Sequence, residues 1–220
     1  MGGFGSPFYL QIIIMPFPTT NATKELPAIN QILSSCGQAP VTTLDTTNPD
    51  VAIVYDTLLQ VNREVQAEGW TFNKENHVEF PTDDSGYINI QNNIIQIKLS
   101  ENAVNREYDA IRRNGRLYDK IHHTDVWTES TIECDTITQY DWVDIPQPIQ
   151  DFITARAATL VSQRIVGDNA QYQMLQQQEA YTRALALEYE TQQGQYTFFG
   201  HPPDQPNYYQ SYQPFQTLRR

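Results

Sequence analysis

The period of the hydrophobic pattern changes twice along this chain. Apolar residues recur every three or four positions before Trp70 and again after about residue 144, which predicts helices. Between these points apolar and polar residues alternate, as at Ile95, Ile97 and Leu99, which predicts short β-strands. The sequence therefore predicts an α+β fold. We expect a four-helix core of two antiparallel helix pairs, a β-rich insertion between the pairs, and extended arms at both ends.

Composition and turn signals divide the chain into four parts. Residues 1–22 are expected to form an N-terminal arm, in which glycines and prolines surround one apolar stretch, Tyr9 to Met15. The remaining expected parts are a helical core of residues 23–69 plus 144–194, a β-rich insertion of residues 70–143, and a C-terminal docking arm of residues 195–220. The last part is rich in proline and tyrosine, which excludes a helix and suits docking into a groove on a partner.

The helix ends carry recognisable signals. Thr23 is a candidate N-cap of the first helix, and Gly37 fits the left-handed position just after its end. Asn48, followed by a proline, is the clearest helix start in the chain. Asp168 is expected to cap a last helix over about residues 169–191. That helix carries apolar residues around much of its girth, so we expect it to contact more than one neighbour.

Charge and cysteine content exclude several classes of protein. The net charge of −12 argues against binding DNA through its phosphates, although an acidic wall suits a passage through which DNA slides. Cys36 and Cys134 are too far apart for a zinc pattern, and Cys36 is expected to be the last apolar residue of the first helix rather than a nucleophile. We expect no secretion signal, no membrane span and no cofactor.

Acidic and histidine pairs offer weak candidates for chemistry. Glu133 and Asp135 lie on one face of a predicted strand, as the two carboxylates of a glycosidase would need to. The alternative is a solvated strand face. His122-His123 near Asp125 invites a metal interpretation, but adjacent strand residues point to opposite faces, which favours a polar loop without a metal. The Asp83-Asp84-Ser85-Gly86 run is explained by turn chemistry.

Four segments of the chain resemble one family. They are "ELPAINQILSSCGQAPVTTLD", "VNREVQAEGWTFN", "IPQPIQDFITARAATLVSQRIVG" and "ALEYETQQGQY". The likeness covers roughly residues 24–82 and 145–196, and it is to the tail tubular protein A family of short-tailed podoviruses, the adaptor or head-to-tail connector.

This resemblance implies a structural role in a virion tail, assembled in the host cytoplasm. The adaptor family is expected to form a homo-oligomeric ring, a dodecamer, between the portal protein and the nozzle, tail tubular protein B. Such a ring lets DNA pass without specific binding and receives the tail fibres. The implied protein is not an enzyme. Two alternatives stay open from the residues: a tail-associated peptidoglycan hydrolase and a non-specific DNA-binding tail protein.

Two sets of residues are candidate contact sites. Six aromatic residues of the C-terminal arm are expected to anchor the chain on the portal or the next subunit, the alternative being a flexible tail: Phe198, Phe199, Tyr208, Tyr209, Tyr212 and Phe215. Asn114-Gly115 is the strongest hairpin signal in the chain. The residues around this hairpin are expected to meet the nozzle, the fibres or a ring neighbour, with DNA contact as the alternative: Arg112, Arg113, Arg116 and Tyr118.

Overall fold

The computed structural model describes the backbone of residues 22–101 and 105–194. The four helices of this part are α1 (Ala22–Ser35), α2 (Pro49–Gln66), α3 (Gln147–Ile165) and α4 (Asn169–Gly194). Its five strands are β1 (Lys74–Pro81), β2 (Ile94–Leu99), β3 (Ala110–Arg113), β4 (Arg116–Asp119) and β5 (Thr131–Thr138). The strands lie between the helix pairs in the chain and form small antiparallel sheets, which confirms the predicted α+β class. None of the described helices combines the length and apolar character needed to cross a membrane.

Local chemistry at the helix ends explains where the helices begin and stop. The Asn48 side chain accepts a hydrogen bond from the Asp50 amide at 3.1 Å, as an N-cap does. Gly37 has a φ of 74°, and the amides of Gly37 and Gln38 bond back to the last turn of α1. This is a Schellman ending. The N-cap expected at Thr23 is wrong, because α1 already begins at Ala22 and Thr23 lies inside it.

The first hydrophobic core joins all four helices, and α3 lies at its centre. Helix α3 packs against α1, α2 and α4, and its Ile149, Phe152 and Ile153 have no exposed surface. Cys36 packs in the same core, which confirms its expected role as a small apolar residue. Helix α4 instead packs mainly along α3, and Leu175 and Ala186 are its contributions to the core. The four helices are therefore not equivalent, since α4 is peripheral.

The second hydrophobic core belongs to the β part. Its three-stranded sheet has the order β1-β5-β2 with antiparallel neighbours, so the last strand in the chain lies in the middle. Ile132 and Cys134 of β5 are fully buried and face this core. Strands β3 and β4 form a separate hairpin whose turn residues, Asn114 and Gly115, both have positive φ. The hairpin predicted at this position is confirmed, and the two positive φ angles are those of a type I′ turn.

Two buried side-chain amides, of Gln66 and Asn73, link the helical part to the β part. Gln66, at the end of α2, exchanges hydrogen bonds with the backbone of Tyr140. Asn73 donates from its side chain to the carbonyls of Gln66 and Thr138. The chain passes from the helical part to the β part after α2 and returns after β5. The buried side chains of Gln66 and Asn73 link these two segments. Because the Gln66 and Asn73 side chains are themselves buried, water competes little for these bonds.

Candidate interaction surfaces

The outer side of α4 carries large apolar side chains and faces away from the other helices and strands that the structure describes. Met174, Tyr181 and Leu185 are 72%, 65% and 40% exposed. Their spacings of seven and four residues place them on one face of the helix. Leu187, on another side, is 48% exposed. Because large exposed apolar side chains on one helix face favour contact with other protein, this face is a candidate contact surface. We call the Met174–Tyr181–Leu185 stripe the α4 outer face.

A groove of about 320 Å³ continues this surface between α4 and the first turn of α3. Leu185 and Tyr189 line it from α4, and Pro148 lines it from α3. Asp151 and Glu188 add two carboxylates to its lining. The groove therefore offers an apolar floor with acidic edges next to the α4 outer face. Sequence reasoning expected α4 to touch several neighbours but singled out neither this groove nor Met174 and Leu185, whose spacing from Tyr181 was the available signal.

Polar contacts fix α4 on its inner side. The Glu190 carboxylate accepts hydrogen bonds from the amide and hydroxyl of Thr71, at 2.9 Å each. The Arg183 guanidinium reaches the Glu68 carboxylate at 3.7 Å. At the start of the helix, the Gln171 side chain donates to the Ser35 carbonyl at the end of α1. These contacts set which face of α4 points outward, so the outer face is a fixed feature of the folded chain.

The β3–β4 hairpin divides the four predicted contact residues between its two faces. The register pairs Arg113 with Arg116 and Ile111 with Tyr118, so these four share one face. Arg113 lies over the Tyr118 ring, 4.0 Å from its centroid. Ile111, which sequence reasoning missed, is 45% exposed on this face. Together they form a platform of cations, an aromatic ring and an aliphatic side chain, which we call the hairpin face.

Two of the predicted arginines are engaged within their own chain. Arg112 lies on the opposite side of the hairpin and donates to the Ile94 carbonyl at 2.8 Å and to Asn92 at 2.9 Å. Arg116 pairs with Asp125 at 3.2 Å and stacks over the Tyr87 ring. Their main observable role is to hold neighbouring loops. Arg113 and Tyr118 remain the better-placed residues for an external partner.

The candidate catalytic carboxylates are occupied by local structure. Glu133 accepts from the His77 ring at 3.0 Å. Asp135 accepts from the Ser100 hydroxyl at 2.6 Å and from the His77 amide at 3.1 Å. His77 sits at an irregularity of β1 with a φ of 56°, so these bonds stabilise a bulge. The arrangement explains both acids without any substrate.

The remaining candidates for chemistry also have structural roles. Asp119 is buried, and it accepts from the amides of Ile121 and His122 and from the His122 ring, which organises the polar loop expected at the two histidines. Within residues 24–101 and 105–194, no group of three or more His, Cys, Asp or Glu side chains is placed to hold a metal ion. Burial, and then the nearby Asp135 charge, raises the pKa of Cys134 to about 12, so it stays a thiol.

The six aromatic residues predicted as an anchor lie outside the described residues. They all fall within 195–220: Phe198, Phe199, Tyr208, Tyr209, Tyr212 and Phe215. Their role as a portal contact therefore stays a prediction from the sequence. Helix α4, the last described element before this segment, ends at Gly194.

Comparison with known proteins shows the family of this chain. A family model described as tail tubular protein matches residues 26–196, most of the chain and all four helices apart from the first turn of α1. Tail tubular protein A of Klebsiella phage KP34 is 24% identical over 164 residues, covering 74% of this chain and 85% of that protein. This chain belongs to the tail tubular protein family and is a structural component of a phage tail.

Proposed function

We propose that this chain is a tail adaptor that forms a ring, a dodecamer, between the portal and the nozzle. The observation that carries the proposal is the α4 outer face. A ring subunit needs two different adhesive patches, one for each neighbour, and a helix that is fixed on one side and apolar on the other supplies such a patch. Permanent interfaces of this kind bury about 2,000 Å² or more, which demands more apolar surface than an isolated domain exposes.

We divide the subunit as follows. Residues 23–69 with 144–194 build the helical body, and residues 70–143 form the β-rich insertion. The α4 outer face and its groove meet ring neighbours. The hairpin face, with Arg113 and Tyr118, meets the nozzle, the fibres or a ring neighbour. The C-terminal arm, 195–220, docks on the portal. Residues 1–22 form the N-terminal arm.

The charge of the chain supports a passive role toward DNA. A net charge of −12 repels phosphates, so DNA passes the ring without being held. The hairpin cations do not overturn this, because Arg112 and Arg116 are engaged within the chain. We expect no salt-dependent affinity for duplex DNA.

We propose that the protein acts by assembly in the virion tail, formed in the host cytoplasm, and not by catalysis. The family suggests a non-enzymatic role, and the Glu133 and Asp135 carboxylates are used in stabilising the β1 bulge. If the hydrolase alternative held, purified protein would release soluble fragments from peptidoglycan and Glu133→Gln would abolish that release. We expect no release from either protein.

The test of the ring is a mass measurement of the purified protein, alone and mixed with its portal. Wild type is expected to give a ring mass, at the latest when the portal is present. Leu185→Glu places a charge in the α4 outer face and should leave the subunit folded but monomeric. Gln173→Glu adds the same charge to α4 at an exposed position off the stripe, and it should assemble normally. Equal assembly of both variants would contradict the proposal.

A second experiment separates the arm from the ring. Deletion of residues 196–220 should abolish attachment to the portal while the circular dichroism spectrum and melting temperature of the subunit stay unchanged. The deletion lies beyond α4, so the two hydrophobic cores keep every residue that the described part of the chain contributes to them. Normal attachment of the shortened chain would show that the portal contact lies elsewhere.

A further inference from the structure

The groove between α4 and the first turn of α3, here called the α4 groove, carries negative charge without a balancing cation. Asp151 and Glu188 line it together with the apolar Leu185 and Tyr189. Each carboxylate accepts one hydrogen bond from a glutamine of its own helix, at 2.7 Å for Asp151 and 3.4 Å for Glu188. Both are exposed, and neither forms an ion pair with any described residue. Such a groove favours a partner that brings cations as well as apolar surface.

The hairpin face carries the opposite charge. Its register places Arg113 directly opposite Arg116, which is an unfavourable arrangement for two like charges. Arg116 is balanced by its ion pair with Asp125. Arg113 is exposed and has no carboxylate within ion-pair distance among the residues that the structure describes. An acidic partner would therefore relieve the repulsion between the two arginines.

The hairpin face also offers apolar surface beside an open tip. Ile111 is exposed and Tyr118 is half-buried, so both can cover apolar side chains of a partner. At the tip, a Cβ atom added to Gly115 would find no atom within 4 Å beyond its chain neighbours. A protruding turn with a cation and two apolar side chains matches, in shape and charge, a concave groove with an apolar floor and acidic edges.

The hairpin is held in place from behind, so its face is ready for binding. The Arg112 side chain donates to the Ile94 carbonyl at 2.8 Å. The Leu117 amide donates to the Ile88 carbonyl at 2.9 Å, which ties β4 to the preceding loop. A contact surface that is already ordered loses little conformational freedom when a partner binds.

The two surfaces belong to different parts of the subunit and suit a contact between copies. The α4 groove lies in the helical part, and the hairpin face lies in the β part. In a chain with a net charge of −12, two α4 grooves facing each other would bring the carboxylates of both copies together, which is unfavourable. A contact between unlike surfaces avoids this repulsion. It also leaves one unpaired surface at each end of a pair, so copies add until a ring closes.

We propose that the hairpin face of one copy docks in the α4 groove of the next copy. Arg113 lies between the Asp151 and Glu188 carboxylates of the neighbour, and Ile111 covers the neighbour's Leu185. This inference rests on the ring of the proposed function and names the two surfaces that form its subunit contact. It assigns the hairpin face to a ring neighbour and not to the nozzle or the fibres.

The test is an exchange of charge across the contact, read by the mass of the full chain mixed with its portal. Arg113→Glu and Glu188→Arg should each weaken ring assembly about tenfold or more, and the double variant Arg113→Glu/Glu188→Arg should recover it. Lys98→Glu, an exposed residue of β2, makes the same change in charge as Arg113→Glu and should assemble as wild type does. Circular dichroism and melting temperature show that every variant folds.

Glu188→Arg also separates this contact from general repulsion between acidic copies. The substitution lowers the net negative charge of the chain, so general repulsion alone would predict stronger assembly. Wild-type rings together with normal assembly of both single variants would overturn this contact and leave the ring proposal standing. A double variant that does not recover would overturn it too, as would an Arg113→Glu variant that forms rings but no longer binds the nozzle. A wild-type chain that stays monomeric with the portal would contradict the ring and the contact together.

Discussion

Helices α3 and α4 follow each other in the chain and pack side by side, yet their surroundings differ sharply. Helix α3 buries ten of its 19 residues, because three other helices contact it. Helix α4 buries two of its 26 residues. In both helices apolar residues are spread around the axis instead of forming one stripe. In α3 that pattern reflects burial by the chain itself, whereas in α4 it leaves an apolar face outside.

This difference shows that one hydrophobic pattern serves two purposes in the same molecule. A helix that is apolar on several sides needs cover on several sides. Within the part of the chain that the structure describes, α3 is covered on several sides and the outer side of α4 is not. Substitutions in α3 should therefore affect folding, and substitutions on the outer side of α4 should affect assembly.

We expect the largest change in the free energy of unfolding from a substitution in α3. Phe152→Ala removes a fully buried ring from the centre of the helical core and leaves a cavity. We expect a loss of about 3–5 kcal/mol in the free energy of unfolding. Urea denaturation followed by circular dichroism measures it. A loss below about 1 kcal/mol would mean that α3 is not the central helix.

The next largest effect on stability is expected at Glu25, a buried acidic residue of α1. Burial, and then the charge of Asp141, raises the pKa of Glu25 from 4.5 to about 7. The folded chain therefore keeps a proton that the unfolded chain releases, so stability falls as pH rises from about 4.5 to about 7. Glu25→Gln should abolish this fall and should raise the free energy of unfolding at pH 8 by up to about 3 kcal/mol.

Denaturation across this pH range is the measurement for Glu25. The exposed Glu79→Gln is the matched control, and its stability should follow wild type at every pH. If Glu25→Gln and wild type kept the same pH dependence, Glu25 would have to be solvated in the folded chain. The buried Oε2 atom of Glu25 and Oδ1 atom of Asp141 have no hydrogen-bond partner among the described residues, which is why we expect the opposite.

A smaller effect is expected in the β part. Burial by itself would raise the pKa of Asp119, but hydrogen bonds from Ile121, His122 and Asp109 outweigh it and lower the pKa. The ionised carboxylate thus contributes stability at neutral pH, which is lost as pH falls below about 4. Asp119→Asn should cost about 1–3 kcal/mol at pH 7, measured by urea denaturation. Asp125→Asn, which breaks the exposed pair with Arg116, should cost less than about 1 kcal/mol.

The smallest effect on folding is expected on the α4 outer face. Tyr181→Ala should change the free energy of unfolding by less than about 0.5 kcal/mol, because the side chain is 65% exposed. The same substitution should weaken ring formation in the mass measurement. If Tyr181→Ala destabilised the lone subunit as Phe152→Ala does, the contrast between the two helices would fail.

Features set by neighbouring residues were predictable from the sequence. The cap at Asn48, the left-handed Gly37 and the hairpin at Asn114-Gly115 depend on local backbone geometry, and all three are confirmed. The N-cap predicted at Thr23 was placed too late in the sequence, because α1 already includes Ala22. Helix starts are often misplaced by a residue or two when several residues of similar propensity stand together.

Features set by distant parts of the chain were not predictable in the same way. The central position of β5 depends on pairing with two strands far away in sequence. That pairing gives Glu133 and Asp135 their partners, His77 and Ser100, which removes the need for a catalytic explanation. The separation of Arg112 from Arg113, in contrast, follows from strand alternation around the hairpin turn, so the signal was present in the sequence.

The fastening of the two chain crossings by Gln66 and Asn73 has a mechanical consequence. The helical part and the β part are joined by these hydrogen bonds and not by a flexible linker alone. A force applied to the strands, for instance by a component attached at the hairpin, therefore acts on these bonds. The first helix to receive this force is α2, whose last residue is Gln66. Helix α3 packs against α2 and is the next. We therefore expect a force on the β part of the subunit to reach its helical part through these hydrogen bonds.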